Sequence, residues 1–166
     1  MSAPVAIRPA NRGDLAQILR LFALDDLTAS PHRVAHVDAQ VSSVALAFDE
    51  IAADPNNTVY VAALDASVVG TFQLTFIRQL TYGGCLVAQV ESVFVDPDVR
   101  SRGVGRVMME FARAEAERRG ALRLQLTSNV RRERAHLFYE RLGYQATHKG
   151  MKLYLSPRRG QSITEP

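Results

Sequence analysis

The run from Val90 to Gly105, Val-Glu-Ser-Val-Phe-Val-Asp-Pro-Asp-Val-Arg-Ser-Arg-Gly-Val-Gly, restricts the fold more than any other part of the chain. Val90, Val93, Phe94 and Val95 favour an extended backbone, and Asp96-Pro97 ends the run. From Val104 the apolar spacing becomes helical through Val107, Met108 and Phe111. Between strand and helix, Gly103 and Gly105 clear side chains from the backbone where the first helical amides lack intrahelical partners. Arg100, Arg102 and Arg106 add guanidinium groups, which hold phosphate with paired hydrogen bonds. A ligand carrying phosphate suits this cradle; an ordinary tight turn with solvated arginines would also satisfy the spacing.

Two other phosphate loops do not fit. A dinucleotide fingerprint would need a third glycine where Met108 stands and an acidic residue near Gln125. A P-loop would need Lys and then Ser or Thr after Gly105, where the chain has Arg106-Val107.

With 166 residues and 47% hydrophobic content, a single domain is expected, burying about 70% of the surface its unfolded chain exposes. We place it at residues 3–156, with 157–166 as a flexible polar tail. No apolar run approaches the roughly 20 residues of a membrane span, and Met1 to Ala10 lacks a signal-peptide core. A cytoplasmic protein that does not engage a membrane is expected. Cys85 is the only cysteine and reads as a strand filler. The net charge is +3. The basic groups Arg118, Arg119, Arg123 and Arg131, Arg132, Arg134 are not interleaved with stacking aromatics, so no nucleic-acid partner is expected. Glu115 and Arg119 read as a surface pair one helical turn apart.

Val5 to Arg8 reads as a strand, and Asn11 with Asp14 as a capping box ahead of Leu15, Ile18, Leu19 and Phe22. A second helix carries Val37, Val41, Val44, Phe48 and Ile51 and stops at Asp54-Pro55. Thr58–Leu64 and Val68–Ile77 form a hairpin around Asp65-Ala66-Ser67, followed by the Leu86–Val95 strand. Gly120 ends the helix after the cradle, and Leu122–Thr127 is a strand that implies a parallel crossover. Ala135, Phe138, Tyr139 and Leu142 line a short helix ended by Gly143, and Tyr144–Leu155 reads as a closing hairpin about Lys149-Gly150.

This order, with the Arg-x-x-Gly-x-Gly helix and Ala135-His136-Leu137-Phe138-Tyr139-Glu140-Arg141-Leu142-Gly143-Tyr144, resembles the GNAT superfamily of acyl-CoA-dependent N-acyltransferases. The resemblance implies an α/β (α+β) fold, with a mixed, mostly antiparallel sheet of six to seven strands flanked by four helices. It implies acetyl-CoA as co-substrate. Val93, Phe94 and Val95 would run beside the pantetheine, with backbone groups of Val93 and Val95 pairing to it. Amides of Arg100, Ser101, Arg102, Gly103, Val104, Gly105 and Arg106 would hold the pyrophosphate. Asn129 would contact pantetheine or substrate, although the longer Val130–Arg134 insertion implies an extended loop there. The acyl group would occupy a wedge where the Leu86–Val95 and Leu122–Thr127 strands diverge. Ser101 replaces a frequent glycine and should be tolerated if its backbone angles stay negative. A homodimer is in keeping with the superfamily.

An aliphatic amine is neutral in only about one molecule in a thousand at pH 7, so attack requires a base. Glu91 is the candidate, directly or through water; the same carboxylate would also serve to orient substrate or to form a strand-end ion pair. Tyr139 stands where the family keeps the acid for the leaving thiolate, at a spacing that also suits core packing. His136 and His148 are further candidates for proton transfer, yet a lone histidine is more often structural. His32 and His36 are one turn apart without a third ligand, so no metal is expected. Leu126–Arg132 with His136 and His148 places the C-terminal third near aminoalkylphosphonate N-acetyltransferases, where Arg78, Arg131 or Arg132 would pair with an anionic acceptor. The expected activity is acetyl transfer to a small-molecule primary amine. The alternatives are acetylation of a protein N-terminus or lysine, and a non-catalytic acyl-CoA sensor.

Overall fold

The computed structural model describes residues 4–24, 37–153 and 155, with no side chains described for 37–42. Along the chain these form β1 (Ala6–Pro9), a 3-10 turn (Arg12–Asp14), α1 (Leu15–Ala23), α2 (Val37–Ala53), β2 (Asn57–Leu64) and β3 (Ser67–Arg78). A single helical turn α3 (Thr81–Gly84) leads into β4 (Leu86–Val95), a second 3-10 turn (Pro97–Val99), α4 (Val104–Arg118), β5 (Arg123–Leu126) and α5 (Glu133–Arg141). The sheet order is β1-β2-β3-β4-β5, antiparallel except for the parallel β4–β5 pair. The mixed, mostly antiparallel fold agrees with the sequence, including the crossover through α4.

Strand alternation sorts side chains to two faces. On one, Tyr60, Phe72, Leu74, Ala88 and Val90 pack under Val104, Met108, Ala112 and Ala116 of α4. These helical positions recur every four residues and are small or flexible, so helix and sheet approach closely. On the other face, Val61 and Val68 pack with Ile18 and Leu21 of α1, and the Phe22 and Phe94 rings meet at 4.7 Å. The Asn11–Asp14 capping box forms: the Gly13 N–H donates to Asn11 Oδ1 (2.9 Å), and the Asn11 N–H to Asp14 Oδ2 (2.8 Å). It closes the 3-10 turn that feeds α1.

Three expectations are corrected, and others fall outside the described residues. Among the described residues the sheet has five strands rather than six to seven. Among the described residues, 144–153 contain no strand, and residues 145–153 are all exposed, Met151 and Leu153 at 91% and 87%. A closing hairpin needs one face against the core to fix its register, and this segment presents none. Glu115 pairs with Arg118 (2.6 Å) instead of Arg119. The Arg119 guanidinium lies 3.9 Å over the Phe76 ring and donates to the Pro55 carbonyl (3.1 Å) and Asn56 Oδ1 (3.0 Å), tying the end of α4 to the start of β2. The 157–166 tail, His32 and His36 lie outside the described residues.

Candidate functional site

The parallel ladder joins β4 to β5 only from Val87↔Arg123 to Val90↔Leu126, whereas β4 continues to Val95. The two strands therefore part immediately before Glu91. Ser92, at φ +52°, sits where the β3–β4 register shifts, so the pleat gains a residue there. The Asp96 N–H donates to the Val69 carbonyl on β3 (2.8 Å). By alternation, the backbone groups of Val95 and Val93 face the opposite edge, which β5 does not cover. On that edge the Val95 carbonyl already accepts from Arg100 Nε (3.1 Å), which anchors this arginine beside the cradle.

The cradle itself is narrower than the sequence suggests. The Arg100 and Arg102 amides are engaged in turn bonds to the Pro97 and Val99 carbonyls (3.3 Å each). Gly103 is the N-cap of α4, at φ +88°, with no side-chain cap bond, and the first bond back to it comes from the Val107 N–H (3.1 Å). The amides of Val104, Gly105 and Arg106 thus open the helix without i−4 partners, as an anion site requires. A Cβ at Gly105 would lie 3.2 Å from Phe138, so this glycine also seats α5. Ser101 has φ +63°, so the condition of negative angles under which a serine would sit without strain is not met. Its neighbours impose the left-handed turn although a Cβ is present. Arg102 is exposed, and Arg106 stands 3.7 Å from Glu110 on the helix surface.

Glu91 and Tyr139 lie on opposite faces of the sheet. Val90 and Val93 pack into the α4 side of the sheet, so Glu91 between them belongs to the other face, where it is exposed. Tyr139 is packed on the α4 side with Phe138 and Tyr144, its ring centroid 5.2 and 5.6 Å from theirs. Burial raises the Tyr139 phenol above its ordinary pKa, and the positive charge of Arg132 pulls it partly back. Burial also raises Tyr144, and the neighbouring Tyr139 adds to the rise. Both phenols stay neutral at physiological pH and keep a proton to donate.

The loop before α5 is organised by Asn129. Its Oδ1 accepts from the Arg131 N–H (2.9 Å), and its carbonyl accepts from the Arg132 N–H (2.9 Å) and His136 Nε2 (2.9 Å). The Asn129 oxygen therefore serves its own loop, and His136 must carry its proton on Nε2 as a clamp. His148 Nδ1 meets Thr147 Oγ1 (2.8 Å) on the surface. Sequence reasoning missed two features. Asp96 accepts from the Asp98 N–H (3.1 Å) and pairs with Arg20 (2.8 Å), fixing the strand end that starts the cradle. Gln89 donates to Glu91 (2.7 Å). A glutamine among the valines and alanines of a strand interior was the available signal.

A cavity of about 290 Å³ lies between α2 and the starts of β2 and the β1 exit, lined by Phe48, Ile51, Pro55 and Val59 among others. Among the described residues Asp54 is its one ionisable lining residue. Among the described residues no cluster of three metal-ligating side chains occurs, and no helix is long and apolar enough to cross a membrane.

The chain therefore builds a parted parallel pair beside an uncapped helix start, with Glu91 on one face of the sheet and Tyr139 packed on the other. Residues 55–146, more than half of the chain, match the family model for the acetyltransferase (GNAT) domain, and the chain belongs to the GNAT acetyltransferase family. It is 35% identical to a transcriptional regulator from Bacillus halodurans C-125, with a TM-score of 0.84 covering 92% of this chain and 100% of that one. It is 30% identical over 95 residues to the aminoalkylphosphonate N-acetyltransferase of Salmonella typhimurium, covering 57% of this chain and 61% of that protein. That similarity runs over the middle of the chain, not the C-terminal third. The glucosamine 6-phosphate N-acetyltransferase of Trypanosoma brucei is 32% identical over 88 residues, covering 53% and 58% of the two chains. The chain thus spans about six tenths of the length of these two curated relatives.

Proposed function

We propose that this protein transfers the acetyl group of acetyl-CoA to a primary amine of a small molecule by direct attack. What supports this reading is the parting of β4 from β5 just before Glu91, with Tyr139 on the other face of the sheet and the α4 amides without i−4 partners at the end of β4. The cradle fits a pyrophosphate: three helical amides without i−4 partners, no side-chain cap, and no Cβ at Gly105. The β4 edge at Val93 fits the amides of pantetheine as an added strand.

Glu91, directly or through water, takes the proton from the ammonium, and the freed nitrogen attacks the thioester carbonyl. The carbon–sulfur bond breaks as the amide forms. The departing thiolate takes a proton from Tyr139, a loss that the Arg132 charge eases, and the amide nitrogen gives up its second proton, which returns to the phenolate. Cys85, between α3 and β4, is not needed as a nucleophile.

Purified protein given acetyl-CoA and an amine panel should release CoA thiol. The names of two relatives make anionic small amines, an aminoalkylphosphonate and glucosamine 6-phosphate, the first compounds for that panel. Tyr139→Phe and Glu91→Gln should each lower kcat about 100-fold and leave acetyl-CoA affinity unchanged. No thiol release together with no acetyl-CoA binding would sink the reading. Acetyl-CoA binding with full turnover in Tyr139→Phe would remove the acid role. A homodimer in solution, tested by sedimentation, completes the proposal.

A further inference from the structure

Three side chains outside this scheme form a directed row of hydrogen bonds that ends on Glu91. Arg123 Nε donates to Gln125 Oε1 (2.8 Å), Gln125 Nε2 donates to Gln89 Oε1 (2.7 Å), and Gln89 Nε2 donates to Glu91 Oε1 (2.7 Å). The backbone sets the row. Gln89 and Gln125 are register partners on the parallel β4–β5 pair, Arg123 precedes Gln125 by one pleat, and Glu91 follows Gln89 by one. All four belong to the same face of the sheet.

The ends of the row dictate its direction. A guanidinium only donates, so Gln125 must turn its oxygen toward Arg123 and its NH₂ toward Gln89. An ionised carboxylate only accepts, so Gln89 must turn its NH₂ toward Glu91. Neither amide can flip without setting two donors or two acceptors against each other. Arg123 is itself held, by a second bond to Gln79 Oε1 (3.3 Å).

Glu91 needs such a restraint. It stands one residue beyond the last rung of the β4–β5 ladder and one before the left-handed Ser92, and it is exposed. A side chain with three rotatable bonds in that setting would wander, whereas proton removal demands a fixed approach to the amine. We propose that Gln89 and Gln125 are positioning residues that hold Oε1 of Glu91 and leave Oε2 aimed at the amine. The proposal rests on Glu91 being the base.

The first test needs no ligand: nitrogen-resolved NMR of the side-chain amides of the full chain. Glu91→Leu should move the signals of both Gln89 and Gln125, while on a Gln89→Met background the same replacement should leave the Gln125 signal in place. Backbone spectra of each variant report that the fold is kept. A Gln125 signal indifferent to Glu91 overturns the row. The second test follows acetyl transfer to the panel amine with the highest turnover. Gln125→Met should lower kcat about tenfold with the KM for acetyl-CoA unchanged; unchanged kcat overturns the positioning role. Glu91→Gln separates the two readings. Full turnover in that variant despite NMR coupling removes the base and with it the positioning role, whereas slow turnover without coupling keeps the base and removes the row.

Discussion

Ser101 holds φ +63° in the cradle, a backbone region that costs a residue with a Cβ about 1 kcal/mol. Ser101→Gly removes that strain but frees the unfolded chain, so a net gain of about 0.5 kcal/mol is expected, read as a rise in thermal midpoint of about 1–2 °C. A drop in the midpoint would show that the serine side chain contributes more than its backbone strain costs. Gly105 behaves oppositely. A methyl there would press on Phe138 at 3.2 Å, so Gly105→Ala should weaken acetyl-CoA binding about tenfold by calorimetry, through displacement of α5 and narrowing of the cradle. The need for glycine at 105 was legible from the strand–turn–helix pattern. The sign of φ at 101 was not, because a serine fits many turns and only the neighbouring bonds to Pro97 and Val99 select this one.

At the scale of elements, the contact of β3 with α4 is the tightest point near the site. A Cβ on Gly70 would lie 2.7 Å from Met108 Sδ, 3.2 Å from the Phe94 carbonyl and 3.3 Å from Ala62 Cβ. Met108 is fully buried, and the Phe94 carbonyl beside it is backbone, so the added methyl is crowded on more than one side. Gly70→Ala should therefore cost about 1–3 kcal/mol in denaturant unfolding. An unchanged midpoint would mean that α4 moves away freely. The spacing of Val104, Met108, Ala112 and Ala116 foretold which face of α4 is buried, whereas the close approach at Gly70 depends on a partner 38 residues away in sequence. The same distinction explains the other misses. Tyr144–Leu155 alternates enough to suggest a hairpin, yet alternation makes a strand only when one side finds a core. Arg119 has the spacing to meet Glu115, but Phe76 and the Asn56 loop lie within its reach and Arg118 takes the carboxylate.

For the molecule as a whole, two acidic residues with little exposure join the N-terminal part to the sheet. Asp14 accepts both guanidinium arms of Arg8 (2.7 and 2.8 Å), and these bonds, with the Asn11 N–H, lower its pKa. The Asp98 N–H lowers that of Asp96, and Arg20 adds to the effect. Both folded values lie below the unfolded carboxylate value of about 3.9. Their stabilisation is therefore complete above that pH and is lost as pH falls through it toward the folded values. Urea midpoints should fall steeply below about pH 4, and Asp14→Asn with Asp96→Asn should flatten that acid limb. An equally steep limb in the double variant would assign acid sensitivity to other groups.

The residues from Val90 to Gly105 and from Ala135 to Tyr144 were enough, by local propensity and spacing alone, to specify a strand, a glycine-bearing helix start and an aromatic helix in that order. Those properties are local: an extended run, glycines at a turn and a helical stripe depend on near neighbours in the chain. Tertiary structure decided where β4 leaves β5, which amides remain free, that Glu91 and Tyr139 lie on opposite faces, and that Gln125 reaches Gln89. Each of these joins groups far apart in sequence, and their geometry follows from how the sheet and helices pack rather than from any one segment.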